Sequence, residues 1–351
     1  MKILLDFKKR AKKFLDSPPD SLHFLMNDYC NCACVFCNQD FSQSSKKDIT
    51  LEKFKEIISN LAIDRVKNFH FSGGGEPLLS KDIFPIIEYV NANYPKINVS
   101  IRTNGLLIHK YASIMADLNV ASLEVSIHGL AQENDFILQR KDATDTVFKG
   151  IALLNDLLKE KNKKISKAFC CVVSMTNIHV LEGLIKKAAE LKVEKLNVEF
   201  CRYFPHQAGP KLAEKDSLYF HQNIYNRTIL ISHVIAWWKG IKLKHDPLFG
   251  KPPKKFSCSM PWDVMLIGPD GDVFPCCGGE AWFNDQVKSS KYYFGNLLKE
   301  PLLTFWNKGT YSALRKGLAS PCNEGLLPEC KSCHRSIYTL GPDRKEGHIF
   351  K

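Results

Sequence analysis

LHFLMNDYCNCACVFC, residues 22–37, is the stretch from which the rest of the chain is read. Leu22–Met26 is short, apolar and β-prone, which predicts a strand. Cys30, Cys32, Cys34 and Cys37 follow directly, on a loop leaving that strand. Three thiolates spaced Cys-x3-Cys-x2-Cys on one short loop can hold three irons of a [4Fe–4S] cluster and leave the fourth iron open to another ligand. A zinc site would normally take four protein ligands, and no histidine lies nearby to supply one. Sets containing Cys32 are open on paper. The x3/x2 spacing and the aromatic Phe36 ahead of the last cysteine favour Cys30, Cys34 and Cys37.

Outward from this loop, β-prone runs alternate with helical patterns. The expected strands are Leu22–Met26, Val66–Ser72, Val99–Thr103, Ser122–Ile127, Ala168–Val173 and Lys195–Phe200. Between them, helices are expected at Leu51–Leu61, Ile83–Tyr94, Tyr111–Leu118, Thr146–Glu160 and Val180–Leu191. Such βα repeats predict parallel strands. Six strands are too few for an eight-stranded barrel. The expectation is therefore an α/β fold, a partial (β/α)6 barrel, with function at the C-terminal strand ends.

The expected organisation is a core at 22–200 after an N-terminal extension, 1–21, with a basic helical stretch at Phe7–Phe14. A connecting region, 201–256, breaks the rhythm with a helical stretch around Ser217–Trp238 and a KPPKK linker. A small cysteine-rich domain, 257–335, and a polar tail, 336–351, complete the chain.

Composition narrows the class. The 351 residues are 44% hydrophobic and 25% charged, enough to bury a core. No signal peptide or membrane span is visible, so the expected compartment is the cytoplasm. Thirteen cysteines in a reducing compartment argue for metal or redox chemistry over disulfides. The formal charge of +12 suits an acidic substrate or nucleic acid. Lys and Arg are spread along the chain without an RNA-binding motif, which favours a solvated basic surface and no nucleic-acid partner.

The turns after the strands carry further chemistry. Ser72-Gly73-Gly74-Gly75-Glu76-Pro77 follows the second strand; a Gly-rich turn lets backbone approach a ligand closely, and a carboxylate there can bind an ammonium group. Thr103-Asn104-Gly105 follows the third, and Ser126 ends the fourth in Val-Ser-Ile-His128-Gly129. Together with the cysteine loop, these motifs resemble the radical S-adenosylmethionine (SAM) superfamily. The resemblance implies that Gly74, Gly75, Glu76 and Pro77 contact the methionine amino group, with Phe36, Thr103 and Asn104 at the same cofactor. It makes Ser126 a candidate for the ribose hydroxyls and Asn177 a weaker adenosine contact. Arg140 would grip the SAM carboxylate, a bidentate guanidinium pairing. His128 stands where the family often has Asp. The implied chemistry is reductive cleavage of SAM to a 5′-deoxyadenosyl radical that takes a hydrogen atom from substrate, with a flavodoxin- or ferredoxin-type electron donor.

The later cysteines are Cys258, Cys276, Cys277, Cys322, Cys330 and Cys333. Pro269-Asp270-Gly271 predicts the turn of a β-hairpin, which with Cys330-x2-Cys333 would make a four-thiolate site of Cys258, Cys276, Cys330 and Cys333. Zinc is chemically possible there. The pattern resembles the SPASM and twitch auxiliary-cluster domains, which implies an auxiliary [4Fe–4S] cluster. With no cysteine after Cys333, one such cluster is expected, with Cys277 or Cys322 as substitute ligands.

The substrate expected from sequence is a small polar metabolite, such as a sugar or aminocyclitol, that is dehydrogenated. The alternative is a ribosomally made peptide that is epimerised or cross-linked. Only 29 residues precede Cys30, no room for the leader-binding domain that peptide enzymes often carry, which tilts the expectation to the metabolite. Cys170 and Cys171 read as core residues. Cys201, at the end of the sixth strand, is a candidate hydrogen-atom donor or a packing residue.

Overall fold

The computed structural model describes residues 18–37, 39, 41, 44–201, 216–218, 220–250, 258–276, 293–320, 327 and 330. All six expected strands are present: β1 Ser21–Leu25, β2 Asn68–Ser72, β3 Asn98–Thr103, β4 Ser122–Ser126, β5 Ser166–Val173 and β6 Lys195–Phe200. The helices between them are α1 Leu51–Ser59, α2 Ile83–Asn93, α3 Ile108–Asp117, α4 Gln132–Leu138, α5 Ala143–Glu160 and α6 Leu181–Glu190. Phe7–Phe14 lies outside the described residues.

Each helix forms for a local reason. Thr50 caps α1, its hydroxyl accepting from the Lys53 amide at 3.3 Å, and Phe54, Ile57 and Ile58 line the buried face at helical spacing. On α5 the buried stripe is Val147, Gly150, Ile151, Leu154 and Leu158. Gly150 lets α5 lie directly on α3, since a Cβ there would stand 3.0 Å from the His109 amide nitrogen.

The sheet has nine strands in the order β7-β6-β5-β4-β3-β2-β1-β8-β9. It extends the expected six at both edges. β7, Lys242–His245, pairs parallel with β6. β8, Val264–Ile267, pairs parallel with β1. β9, Val273–Phe274, folds back antiparallel on β8, which makes the expected hairpin. Gly271 has φ +78 in its turn, and the Gly268 amide donates to the Asp272 carbonyl at 2.9 Å.

Period-two alternation sorts the two faces of the sheet. Leu22, Phe24, Phe69, Phe71, Val99, Ile101, Leu123, Val125, Phe169, Cys171, Leu196 and Val198 are fully buried toward the helices. The other face carries His23, His70, Ser100, Arg102, Glu124, Cys170 and Asn197. Parallel strands covered on both sides are usually apolar throughout. The polar inner face therefore marks a lumen with work other than packing.

After the sixth strand, α7 (Gln222–Trp238) lies across the sheet edge, burying Tyr225, Ile229, Ser232 and Ala236. The Tyr225 phenol donates to the Asp246 carbonyl at 2.9 Å. Beyond β9, Trp306, Tyr311, Leu297, Leu302 and Leu314 extend the main hydrophobic core around α9, Gly309–Ala319. Buried Arg315 on α9 stacks 3.7 Å from the Trp306 ring and donates to the carbonyls of Pro261 and Trp306. That ties α9 to the turn of helix at α8, Met260–Asp263.

Candidate active site

The site sits where β1 to β4 end. The Cys30–Cys37 loop is pinned on two sides by main chain. On one side the Ala33 and Val35 amides donate to the Leu138 and Ile137 carbonyls at the end of α4. On the other, the Gly75 and Glu76 amides donate to the Asn27 and Tyr29 carbonyls that lead into the loop. Gly75 can be nothing else in this position, since a Cβ would fall 1.8 Å from the Tyr29 carbonyl oxygen. Gly73 is equally constrained, by the Gly75 carbonyl at 1.9 Å. Gly74 differs: its Cβ would meet only the Asn27 carbonyl oxygen, at 3.4 Å, an ordinary contact beside open space.

Glu76 does something the sequence did not indicate. Its carboxylate is buried and points into the protein, accepting from the Thr103 hydroxyl at 2.6 Å, the Asn104 amide at 2.7 Å and the Leu78 amide at 3.0 Å. Burial pushes its pKa up to about 7, although these three donors pull the other way. The side chain thus joins the Gly-Gly-Glu-Pro turn to the Thr-Asn-Gly turn. An ammonium group could be met by main-chain carbonyls of this segment, but its carboxylate is already engaged.

Asn104 carries the bracing on to the cysteines. Its side-chain amide donates to Asn31 Oδ1 at 2.7 Å and approaches the sulfurs of Cys32 at 3.4 Å and Cys30 at 3.8 Å. Backbone amides also face sulfur: Cys32 N to Cys30 Sγ at 3.4 Å, and Gln39 N to Cys37 Sγ at 3.5 Å. Cys30, Cys34 and Cys37 are half-exposed, whereas Cys32 is buried. Among the described residues, no three Cys, His, Asp or Glu side chains converge on a point for a single metal ion. A cubane makes no such demand, because each thiolate binds a different iron. Three thiols on one loop, two of them approached by backbone amides, fit an iron–sulfur cluster with one open iron.

The remaining site candidates fall around this loop. Phe36 meets the His128 ring edge-on at 4.8 Å. His128 is a structural residue: its Nδ1 accepts from the Val172 amide at 3.1 Å, and burial drives its pKa down to about 3, so it stays neutral. Asn177 is likewise engaged, donating to the His128 and Val172 carbonyls at 2.6 and 2.9 Å and accepting from the Ser174 amide. Ser126 is half-buried at the end of β4, in register with Cys170. Arg140 is exposed, two residues beyond the carbonyl that holds Ala33. Pro77 is buried at the first position of a 3-10 turn.

Cys201 is 3% exposed, with its amide on the Val173 carbonyl at 2.6 Å. Cys171 packs in the core, as the sequence implied. Cys170 does not; it faces the lumen, 3.8 Å from Glu124 Oε2 and 3.6 Å from Asn197 Nδ2. Burial pushes its thiol up to about 11, so it is protonated. Around it, Arg102 pairs with Glu124 at 2.8 Å, and His70 Nδ1 lies 2.8 Å from the Ser100 hydroxyl. This polar row was missed in the sequence, although its signal was there: a charged or polar residue at every second position of β2, β3, β4 and β6.

In the C-terminal segment Cys258, Cys276 and Cys330 are half-buried, and Cys258 and Cys330 pack against the core. Cys333, Cys277 and Cys322 lie outside the described residues. The Tyr311 hydroxyl is buried without a hydrogen-bond partner among the described residues. Burial first, and the charge of Cys276 as well, push its pKa up. A fully buried donor without a partner among the described residues suits a site built around a further bound group.

Comparison with known proteins bears on these features. The radical SAM superfamily profile matches residues 24–188, and a profile described as an iron-sulfur cluster-binding domain, SPASM, matches residues 258–334. The mycofactocin maturase MftC of Mycolicibacterium smegmatis is 25% identical over 312 residues, 86% of this chain and 72% of that protein. A probable GTP 3′,8-cyclase of Methanothermobacter thermautotrophicus is 30% identical over 143 residues, but these are only 40% of this chain and 45% of the relative's own length. Among solved structures, Streptococcus suis SuiB bound to S-adenosylmethionine superposes with a TM-score of 0.67 at 18% identity, covering 88% of this chain and 71% of that one. That last likeness is one of fold. No described helix is long and apolar enough to cross a membrane.

Proposed function

Since the chain belongs to the radical SAM superfamily and carries a SPASM-type iron–sulfur domain behind its core, we propose that it abstracts a hydrogen atom from a peptide substrate and so matures it. The observation that carries this is reach. The match to a maturase runs through both domains, over 86% of the chain, while the match to a GTP cyclase covers 40%. The metabolite substrate favoured by the sequence is the second reading. What supports it is the lumen, where Arg102, Glu124, Cys170 and Asn197 offer a compact set of partners for hydroxyl or amino groups.

The chain's own contribution is binding, orientation and exclusion of water. Cys30, Cys34 and Cys37 would hold the first cluster, and Cys258, Cys276, Cys330 and Cys333 the single auxiliary one. When bound, the first cluster supplies the electron that cleaves SAM, and the second gives or takes an electron for the substrate. The carbonyls around Gly74 would receive the SAM ammonium, and Arg140 would grip its carboxylate. Glu76 acts through others, holding the Thr103 and Asn104 turn in place. Ser126, at the end of β4, would meet the ribose hydroxyls. Cys170, protonated and beside Glu124 and Asn197, joins Cys201 as a candidate to hand a hydrogen atom to a substrate radical. A small flavodoxin- or ferredoxin-type protein would deliver the first electron.

The test is 5′-deoxyadenosine formation by the anaerobically reconstituted protein with dithionite and SAM. Peptides and cyclitols deuterated at carbon are then compared for deuterium in the product nucleoside. Transfer from a peptide is expected. Transfer from cyclitols alone would establish the second reading, and no 5′-deoxyadenosine under any condition would end both.

A further inference from the structure

Helix α7 has two faces, and only one is accounted for. Tyr225, Ile229, Ser232 and Ala236 are buried against the domain. The opposite face presents Leu230, Ile231, Val234, Trp237 and Trp238, exposed by 56, 49, 59, 78 and 78%. These positions follow the three–four spacing of one helical stripe. Scattered exposed apolar residues are ordinary, but a contiguous stripe ending in two exposed tryptophans marks a contact surface.

The charges around the stripe say what it contacts. From Ser217 to His245 the chain has no Asp or Glu, but it has Arg227, Lys239, Lys242 and Lys244. All four basic residues are exposed. Lys242 and Lys244 stand on β7, which follows α7 directly and is the edge strand of the sheet. An apolar ridge beside a basic patch, with no Asp or Glu within the stretch 217–245, complements an anionic surface. Indole rings favour the boundary between hydrocarbon and water, where the ring is buried and its N–H stays wet. A second copy of this chain fits poorly. Antiparallel pairing centred on the stripe would set Arg227 of each copy near Lys239 of the other, with no acid to neutralise either.

We propose that α7 and the adjoining β7 are a membrane-docking surface, which seats the enzyme on anionic lipid by its Leu230–Trp238 stripe and its Arg227, Lys239, Lys242 and Lys244 charges. The helix lies in the interface rather than crossing it. Docking of this kind leaves the active-site strand ends, on the other elements of the sheet, free to work on a substrate held near the bilayer.

The experiment is vesicle co-sedimentation of the full-length, cluster-loaded protein. Vesicles of phosphatidylcholine with about one-third phosphatidylglycerol are compared with phosphatidylcholine alone. Binding to the anionic vesicles is expected, weakening as salt is raised. A Val234→Glu/Trp237→Glu variant should bind at least about tenfold more weakly, the stripe being what enters the lipid. Because both residues are on the surface, the variant should keep wild-type circular dichroism and iron content. A Lys239→Glu/Lys242→Glu variant should lose the preference for anionic lipid. On docking, tryptophan fluorescence should shift to the blue and be quenched by brominated lipid. The proposal is overturned if neither vesicle binds the protein, or if binding survives both variants. It is also overturned if light scattering shows a dimer that Val234→Glu/Trp237→Glu dissociates while vesicles stay unbound, since the stripe would then be an interface between copies.

Discussion

Cys30, Cys34 and Cys37 share one loop of eight residues, Cys30–Cys37, whereas Cys258, Cys276 and Cys330 come from separate places across residues 258–330. The first loop is braced by main chain on both sides, by Leu138 and Ile137 on α4 and by Gly75 and Glu76 after β2. The second set relies on side chains, with Arg315 drawing Pro261 and Trp306 together from far apart in sequence. A site on one loop needs little beyond a correct turn. A distributed site needs packing to hold its parts together, and the extension of the core around Trp306 and Tyr311 supplies it.

The largest expected effect separates the two sites outright. Cys30/Cys34/Cys37→Ala should lower iron from about eight to about four per chain and abolish 5′-deoxyadenosine formation. Cys258/Cys276→Ala should also reach about four iron per chain but keep SAM cleavage, losing only substrate conversion. If the first variant held no iron while the wild type held about four, the second cysteines would bind no cluster.

Next comes the bracing of the first loop. Gly75→Ala forces a Cβ onto the Tyr29 carbonyl and should cost about 1–3 kcal/mol in urea unfolding. Gly74→Ala should stay within about 0.5 kcal/mol of wild type, because its Cβ meets no crowding. It should nevertheless weaken SAM binding, read by equilibrium dialysis. Equal destabilisation by the two would mean that Gly74 serves the loop and not the ligand.

In the C-terminal domain, Arg315→Met strands two buried carbonyls and should cost about 1–3 kcal/mol, checked by thermal unfolding of the loaded protein. The smallest effect is expected for Tyr311→Phe. Its hydroxyl has no partner among the described residues, so the apo-protein should change by less than about 1 kcal/mol. A clear loss confined to the loaded protein would show that the hydroxyl finds its partner when the cluster is present.

Much of this was legible in the chain. Six strands and five helices appear within a few residues of their expected bounds, because period-two and period-3.6 patterns report local geometry directly. The cysteine loop and its neighbouring turns are contiguous motifs, and contiguous motifs survive without an alignment. The way the added strands join the sheet did not show. Lys242–His245 is short and half-charged, and Val264–Ile267 gives no hint that it lies parallel to β1. Pairing between distant segments leaves no periodic trace in either one.

What the sequence determined by itself was the chemistry-bearing set: which cysteines stand together and which turns follow which strands. Only the tertiary structure decided direction. It turned the Glu76 carboxylate inward onto Thr103 and Asn104 rather than out to a ligand. It placed Cys170 in the lumen and Cys171 in the core, one residue and one half-pleat apart. It left the Leu230–Trp238 stripe of α7 uncovered. Residue type states what a side chain can do. Which way it faces depends on the neighbours that the sheet order brings to it from far along the chain.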